Sequence, residues 1–212
     1  MADSKSVYHH GDLRAALINA GLELTRAGGP DALSIRAATR RVGVSPNAAY
    51  RHFADRETLL KAVATAIQDR MAARMRSQTR GHGSPAVQAR DRLRAVGMGY
   101  IEFALDEPGW FTVAFFGANL TAVADNTGAR LAPPYRALVE ALDAMVDAGV
   151  LAPQRRDGAE WSCWSAVHGF AELVLHGPLR EASRRDLESL AQRTVDDIIA
   201  GVSTKVTAPA SV

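Results

Sequence analysis

Six basic side chains lie within one short stretch of the chain. They are Arg36, Arg40, Arg41, Arg51, His52 and Arg56. No Asp or Glu occurs between Ser34 and Ala54. A solvated structural face normally mixes both signs of charge, whereas a cluster of one sign complements a phosphate backbone. The pattern therefore favours a nucleic-acid interface over an ordinary exposed helix surface.

The residues from 34 to 53 predict two short helices joined by a tight turn. Ser34 is placed to cap the first helix, and Gly43 follows its last turn. Ser45 and Pro46 then supply an N-cap and a first helical position for the second helix. The positions expected to face inward are Ile35, Ala38, Val42, Ala49 and Phe53. This is the outline of a helix-turn-helix, whose second helix enters the DNA major groove, although similar helix pairs occur in other helical proteins.

The same stretch resembles the N-terminal DNA-binding domain of the TetR family of transcriptional regulators. The resemblance is carried by residues 33–36, 42–45, 49–53 and 55–60, and it covers about residues 10 to 75. Family members usually carry Lys where Arg56 stands, and Gly or Ala where Ala48 stands. The resemblance implies a dimeric regulator that reads DNA with the helix after Gly43.

The motif and the resemblance together predict a set of DNA-contacting residues. The set is Ser34, Arg36, Ser45, Pro46, Asn47, Ala48, Tyr50, Arg51, His52 and Arg56. The Arg36 guanidinium fits the two acceptors of a guanine, and Asn47 is either an adenine reader or a phosphate contact. The resemblance implies that Tyr50, His52 and Arg56 mainly hold the DNA backbone.

Composition and charge indicate a globular chain with two different halves. The chain has 212 residues, of which 47% are hydrophobic and 23% charged, and its net charge is +2. Residues 1–80 carry a net charge of +6 and residues 81–212 a net charge of −4, so the N-terminal part of the chain is expected to bind nucleic acid. The single Cys163 and the absence of a signal-peptide pattern predict a reducing, cytoplasmic location with no membrane association.

The pattern of apolar stripes, caps and breaks predicts an all-α protein of about nine helices. We expect a helix-turn-helix domain over 1–55, a connecting helix over 56–78, a ligand-binding and dimerisation domain over 79–203, and a tail over 204–212. Residues 110–116 hold four aromatics, which suits a strand by composition, but the helical neighbours favour a short helix. Residues 117–132 are consistent with either a loop or a weak helix.

The segment Trp164 to Gly169 resembles the Trp…His-Gly signature of one C-terminal domain type in the TetR family. The resemblance implies that the last two helices, near 159–177 and 183–202, pair with their copies in a homodimer. It also implies a ligand pocket among the middle helices. His168 would need a partner inside so apolar a helix, either Glu172, another chain or an effector.

The candidate pocket residues are aromatic side chains and one histidine. They are Tyr100, Phe103, Trp110, Phe111, Phe115, Phe116, Trp164 and His168. Aromatic side chains at helical spacing are also what an ordinary core contains, so core packing remains the alternative for each of them.

The sequence therefore predicts a homodimeric transcriptional regulator, a repressor released from a near-palindromic operator by a small apolar or aromatic effector. The alternative is a dimeric DNA-binding protein with no effector. We predict no enzyme activity and no catalytic residues, because no nucleophile and acid–base pair can be placed together. No cofactor and no metal site are expected, since the adjacent His9 and His10 have no third ligand nearby in sequence.

Overall fold

A computed structural model describes residues 13–77, 82–115 and 132–203. These residues form α-helices and two short 3-10 turns, at Pro30–Ala32 and Pro153–Arg155. The helices are α1 (Leu13–Gly28), α2 (Ile35–Val42), α3 (Pro46–Tyr50), α4 (Arg56–Ser77), α5 (Pro85–Asp106), α6 (Pro108–Phe115), α7 (Pro133–Asp147), α8 (Ala159–Leu175) and α9 (Arg184–Ser203). The described residues contain no strand, so the predicted all-α class is confirmed.

Several sequence expectations fall on residues outside this description. They concern His9 and His10, Phe116, the ambiguous segment from 117 and the tail from 204. The aromatic segment that was compatible with a strand is helical as far as Phe115. No helix among the described residues is long and apolar enough to cross a membrane.

Side-chain caps begin α2 and α4, and the cap at Ser34 was predicted from the sequence. The Ser34 hydroxyl accepts a hydrogen bond from the Ala37 amide at 3.0 Å. At the start of α4, Asp55 Oδ1 accepts from the Thr58 amide at 2.7 Å. Hydrogen bonds from the Thr58 amide and the Thr58 hydroxyl hold the pKa of the Asp55 carboxyl below its usual value.

The described chain divides into two compact units. The first contains residues 13–67 and 107–115, and the second contains 68–77, 82–106 and 132–203. The division thus falls within α4, and it groups α6 with the N-terminal helices rather than with the helices that flank it in sequence. The sequence expectation had placed α6 in the C-terminal domain.

The core of the first unit is built where α1, α2, α3, the first part of α4 and α6 meet. Leu17, Leu33, Phe53 and Leu59 are almost completely buried there. Thr39 is also buried, and its hydroxyl donates to the Ile35 carbonyl at 2.9 Å, so it adds no unpaired polar group.

The second unit packs α5 against α7, α8 and α9. Tyr100, Ile101 and Leu142 are almost completely buried in its core. Gly99 allows α5 to approach the end of α4 closely, because a Cβ atom at this position would lie 2.7 Å from the Met75 Cα.

Candidate DNA interface and effector site

The helix-turn-helix geometry is set by a few local residues. α2 ends where Gly43 adopts a left-handed conformation with φ of 78°, which glycine accepts without a steric penalty. The Ser45 hydroxyl then accepts from the Ala48 amide at 3.4 Å, and Pro46 occupies the first turn of α3. α3 ends at Tyr50, although the inward-facing spacing of Ala49 and Phe53 suggested a helix as far as Phe53.

The two helices meet through buried residues on their inner faces. Ala38 and Ala49 have no exposed surface, and Phe53 is 1% exposed. The Arg14 guanidinium carbon lies 5.3 Å from the centre of the Phe53 ring, on which it stacks as a cation–π contact. α2 and α3 thus pack on each other through these buried residues, and the exposed side chains of the pair face outward.

The predicted DNA-contacting side chains lie on the outside of this pair. Ser34, Arg36, Ser45, Pro46, Asn47, Tyr50, Arg51, His52 and Arg56 are exposed, and Ala48 is half-buried. Tyr50 is 52% exposed although it is a large aromatic residue. An exposed tyrosine among cations is typical of a binding surface, because its phenol combines apolar area with a hydrogen-bonding group.

The arginines of this surface differ in what they already bind. Arg41 forms an ion pair with Glu23 of α1. Arg56 is used within the protein, since its Nε donates to the Leu33 carbonyl at 2.8 Å and its Nη2 to the Pro30 carbonyl at 2.6 Å. Arg36 and Arg51 form no ion pair with the described residues.

The sequence did not predict the internal role of Arg56. Its two acceptors are main-chain carbonyls that lie 23 and 26 residues earlier in the chain. Carbonyl acceptors are present at every residue, so they leave no signal in the sequence. The resemblance to a family with Lys at this position pointed only toward DNA.

The aromatic residues of α6 belong to the first unit, where they pack on α1. The Trp110 indole Nε1 donates to the Leu22 carbonyl at 2.8 Å. Arg26 forms two hydrogen bonds to the Glu107 carboxylate, at 2.7 Å and 2.5 Å, and its guanidinium carbon lies 5.2 Å from the Trp110 ring centre. Gly109 makes this packing possible, because a Cβ atom there would lie 2.3 Å from the Arg26 carbonyl oxygen.

The candidate pocket residues are therefore distributed over both units. Trp110, Phe111 and Phe115 belong to the first, and the Phe111 and Phe115 rings lie 4.9 Å apart. The candidates in the second unit are Tyr100, Phe103, Trp164 and His168. Phe116 lies outside the described residues.

Tyr100, Trp164 and His168 form a cluster between α5 and α8. The Tyr100 hydroxyl lies 2.8 Å from His168 Nδ1. The Trp164 ring meets the Tyr100 ring edge-on at 5.6 Å between centroids, and Tyr135 of α7 continues the cluster 5.9 Å from Trp164. Thus Tyr100 provides a hydrogen-bond partner for His168 within the chain, whereas the sequence had suggested Glu172, another chain or an effector.

Burial controls the protonation of this cluster. It lowers the pKa of His168, an effect that the nearby Glu172 carboxylate opposes, so the imidazole is neutral near pH 7. Burial, with a smaller contribution from Glu172, raises the pKa of Tyr100 well above its usual value. The pair therefore presents neutral hydrogen-bonding groups under physiological conditions.

A narrow apolar cavity borders the cluster. It has a volume of about 20 Å³, which is room for about one water molecule. Its lining includes Tyr100, Cys163, Trp164, Val167 and Val195. Burial raises the pKa of the Cys163 thiol to about 11, so this thiol remains protonated. Among the described residues, no group of three or more His, Cys, Asp or Glu side chains is arranged to hold a metal ion.

Three large apolar side chains of α8 and α9 are partly exposed. Trp161, Leu173 and Leu190 are 48%, 46% and 37% exposed. Gly169 lies between Trp161 and Leu173 on α8, and no atom lies within 4 Å of the position that its Cβ would take. Exposed apolar side chains with an open glycine among them are suited to close packing against a second helix, and this set is called the α8–α9 face.

Comparison with known proteins places this geometry in a family. The sequence profile described as "Tetracyclin repressor-like, C-terminal domain" matches residues 93–198, and the one described as "Bacterial regulatory proteins, tetR family" matches residues 17–63. The chain belongs to the TetR family of transcriptional regulators. The first profile spans α5 to α9, so the membership rests on the C-terminal helices as well as on the helix-turn-helix. No curated protein matches the sequence of this TetR-family chain.

Solved structures share the TetR fold over nearly the whole chain. A Rhodococcus sp. RHA1 protein of unknown function is 24% identical, with a TM-score of 0.69 over 94% of this chain and 100% of its own. A TetR-family regulator from Pectobacterium atrosepticum is 20% identical, with a TM-score of 0.62 over 92% and 95%. A TetR variant from Acinetobacter baumannii AYE, solved in complex with minocycline, is 18% identical, with a TM-score of 0.59 over 90% and 98%.

Proposed function

We propose that this TetR-family chain is a homodimeric cytoplasmic repressor that leaves a near-palindromic operator when a small apolar or aromatic effector binds. The observation that carries the proposal is the exposed, acid-free surface of α2 and α3. Arg36 and Arg51 have no ion pair there with any described residue, so their charges are available to DNA. An arginine already paired with a carboxylate would contribute less, as Arg41 does through Glu23.

The exposed apolar face of α8 and α9 supports dimerisation. A monomer would leave the partly exposed side chains of Trp161, Leu173 and Leu190 in water. A twofold axis through this face would cover them with the same residues of a second copy, and it would also duplicate the helix-turn-helix. Two recognition elements related by twofold symmetry require an operator with matching half-sites, about one helical turn or a multiple apart.

The cluster around Tyr100 supports effector binding, although the cavity beside it is small. A drug-sized ligand needs roughly 300 to 1,000 Å³, so the effector-bound state must differ from the described one. A ligand that binds only an expanded conformation stabilises that conformation, and it lowers DNA affinity to the extent that the two conformations differ in fit.

Footprinting of the promoter beside the chain's own gene tests the proposal directly. We expect protection of a near-palindromic site, which DNA of random sequence does not compete away. A melting screen against metabolites then separates the effector-responsive repressor from a DNA-binding dimer with no effector. In the first case at least one compound raises the melting temperature and weakens the footprint; in the second no compound does either.

A further inference from the structure

A row of half-buried polar and aromatic side chains runs along α8 at four-residue spacing. Trp164, His168 and Glu172 occupy successive turns of one side of this helix. Tyr100 of α5 contacts the first two of them, by its ring and by its hydroxyl. Toward the interior the row adjoins the apolar cavity, which Trp164 and Tyr100 help to line.

Of the two carboxylate oxygens of Glu172, at the end of this row, only one has a hydrogen-bond partner. Glu172 Oε2 lies 2.9 Å from His176 Nδ1, but Glu172 Oε1 is buried and has no hydrogen-bond partner. A buried acceptor without a donor costs free energy, and native structures rarely leave one unpaired. The atom thus marks a place where a hydrogen-bond donor from outside the chain would be favoured.

We propose that Glu172 binds the protonated amine of a small apolar effector, whose body lies along Trp164 and Tyr100; this inference rests on the proposed effector-responsive function. A carboxylate binds a cationic donor more strongly than a neutral one, since the hydrogen bond is charge-assisted. The neutral imidazole of His168 adds no repulsion to an ammonium group at the next turn. The aromatic rings and the apolar cavity wall suit the uncharged part of the ligand.

Three probes of one shape and different charge test this assignment on the full-length protein. We would titrate benzylamine, benzyl alcohol and benzoate calorimetrically at about pH 7.5, where the amine is protonated and benzoate is an anion. The amine is expected to bind about tenfold more tightly than the alcohol, and benzoate more weakly than either. Equal binding of amine and alcohol, preference for benzoate, or no measurable binding of the amine would each overturn the assignment.

Glu172→Gln is the decisive variant, because it keeps the side-chain shape and removes the charge. It should reduce amine affinity about tenfold and leave that of the alcohol unchanged. Glu188→Gln is the matched control, since Glu188 is an exposed α9 carboxylate paired with Arg184, and it should bind the amine as the wild type does. If Glu172→Gln retains the amine preference, or if Glu188→Gln loses it equally, the assignment is wrong. A water molecule as the natural partner of Oε1 would give this negative result.

The failure of this inference can be distinguished from failure of the proposed function. Operator binding is measured by fluorescence anisotropy with and without the amine. If the amine binds through Glu172 but leaves operator affinity unchanged, the ammonium site is supported, and the proposal that its occupation releases DNA is contradicted. If another compound releases the operator while the amine does not bind, the regulator function stands and the ammonium site is rejected. Should Glu172→Gln fail to fold, the comparison of the three probes on the wild type still decides.

Discussion

The guanidinium of Arg56, the first residue of α4, donates a 2.8 Å hydrogen bond to the main-chain carbonyl of Leu33, which precedes α2. A second hydrogen bond reaches the Pro30 carbonyl. A side chain that the family resemblance associates with the DNA backbone thus also holds the loop before the helix-turn-helix. Substitution at this position therefore tests stability and DNA binding together.

Arg56→Ala is expected to lower the free energy of unfolding by about 1 kcal/mol, the usual net value of lost hydrogen bonds at a partly exposed site. It should also weaken operator and random DNA alike, and reduce the salt dependence of binding by about one unit of slope. Urea denaturation and anisotropy titrations at several salt concentrations measure the two effects.

Arg56→Lys separates these two roles. A lysine keeps the charge for a phosphate but lacks the planar fork that reaches both carbonyls, so the salt slope should be retained while stability falls. If Arg56→Ala alters stability but not the salt slope, Arg56 has no phosphate contact and is purely structural.

Arg36→Ala is expected to weaken the free energy of operator binding by about 1–3 kcal/mol and to change binding to random DNA little, because we assign Arg36 to a guanine edge. Its side chain is exposed at the start of α2 and forms no ion pair with the described residues, so the loss should not come from unfolding. Arg40→Ala, on the same helix, serves as the control: Arg40 is exposed and outside the predicted DNA-contacting set, so any loss of affinity should be equal on the two DNAs. Equal losses on both DNAs for Arg36→Ala would show that it contacts phosphate rather than bases.

Leu173→Glu should convert the dimer to a monomer without loss of helix content, because the side chain is 46% exposed in the single chain. A charge in an apolar interface has to be desolvated on association, which is costly without a partner. Light scattering and circular dichroism give the mass and the fold. Val87→Glu is the matched control, since Val87 of α5 is 45% exposed but lies off the α8–α9 face, and it should remain dimeric. A wild-type monomer at micromolar concentration would contradict the dimer outright.

The partly buried His168 should make the free energy of unfolding depend on pH. Burial lowers its pKa in the folded state, so the unfolded state takes up a proton more readily. Its contribution to stability is therefore complete above about pH 6.5, the ordinary histidine value, and is lost as the pH falls through the folded-state pKa. Urea unfolding of the wild type and of His168→Gln across this pH range measures this contribution. His168→Gln should flatten the dependence of the free energy of unfolding on pH, and an unchanged dependence would assign the effect to another group.

Gly109→Ala should destabilise the packing of α6 on α1 by about 1–3 kcal/mol, the usual cost of overpacking. The added Cβ would lie 2.3 Å from the Arg26 carbonyl oxygen and 2.6 Å from that of Thr25, and neither main-chain atom can rotate away. Gly201→Ala in α9 is the control, because its Cβ would meet nothing within 4 Å. There alanine should be neutral or stabilising by about 0.5–1 kcal/mol. The melting temperatures of the two variants are compared with that of the wild type. If Gly109→Ala melts at the wild-type temperature, α6 can shift on α1 to accommodate the added Cβ atom.

The sequence predicted the local structure of the helix-turn-helix well because its determinants are local. Ser34, Gly43 and Asp55 each act on a main-chain group within four residues, so their types and spacing carry the information. The TetR resemblance was likewise carried by contiguous motifs, and the family profiles confirm it. The ten predicted DNA-contacting residues remain predictions, although their exposure is consistent with that role.

The packing of α6 on α1 could not be predicted in the same way. The Trp110 indole donates to a carbonyl 88 residues away, and Arg26 pairs with Glu107 at a separation of 81 residues. An aromatic run suggests a pocket as readily as an anchor, because both require the same apolar side chains. Only the fold distinguishes Trp110, which is held by α1, from Trp164, which borders the cavity.

The single thiol, Cys163, has a practical consequence for spectroscopy. It is buried, and its pKa of about 11 leaves very little thiolate near neutrality, so maleimide or methanethiosulfonate reagents should modify it slowly. A cysteine introduced at an exposed position away from the α8–α9 face, such as Val87, could then carry a fluorophore or spin label on the natural background. Distances between labels on two copies could be followed during effector addition without first removing the native cysteine.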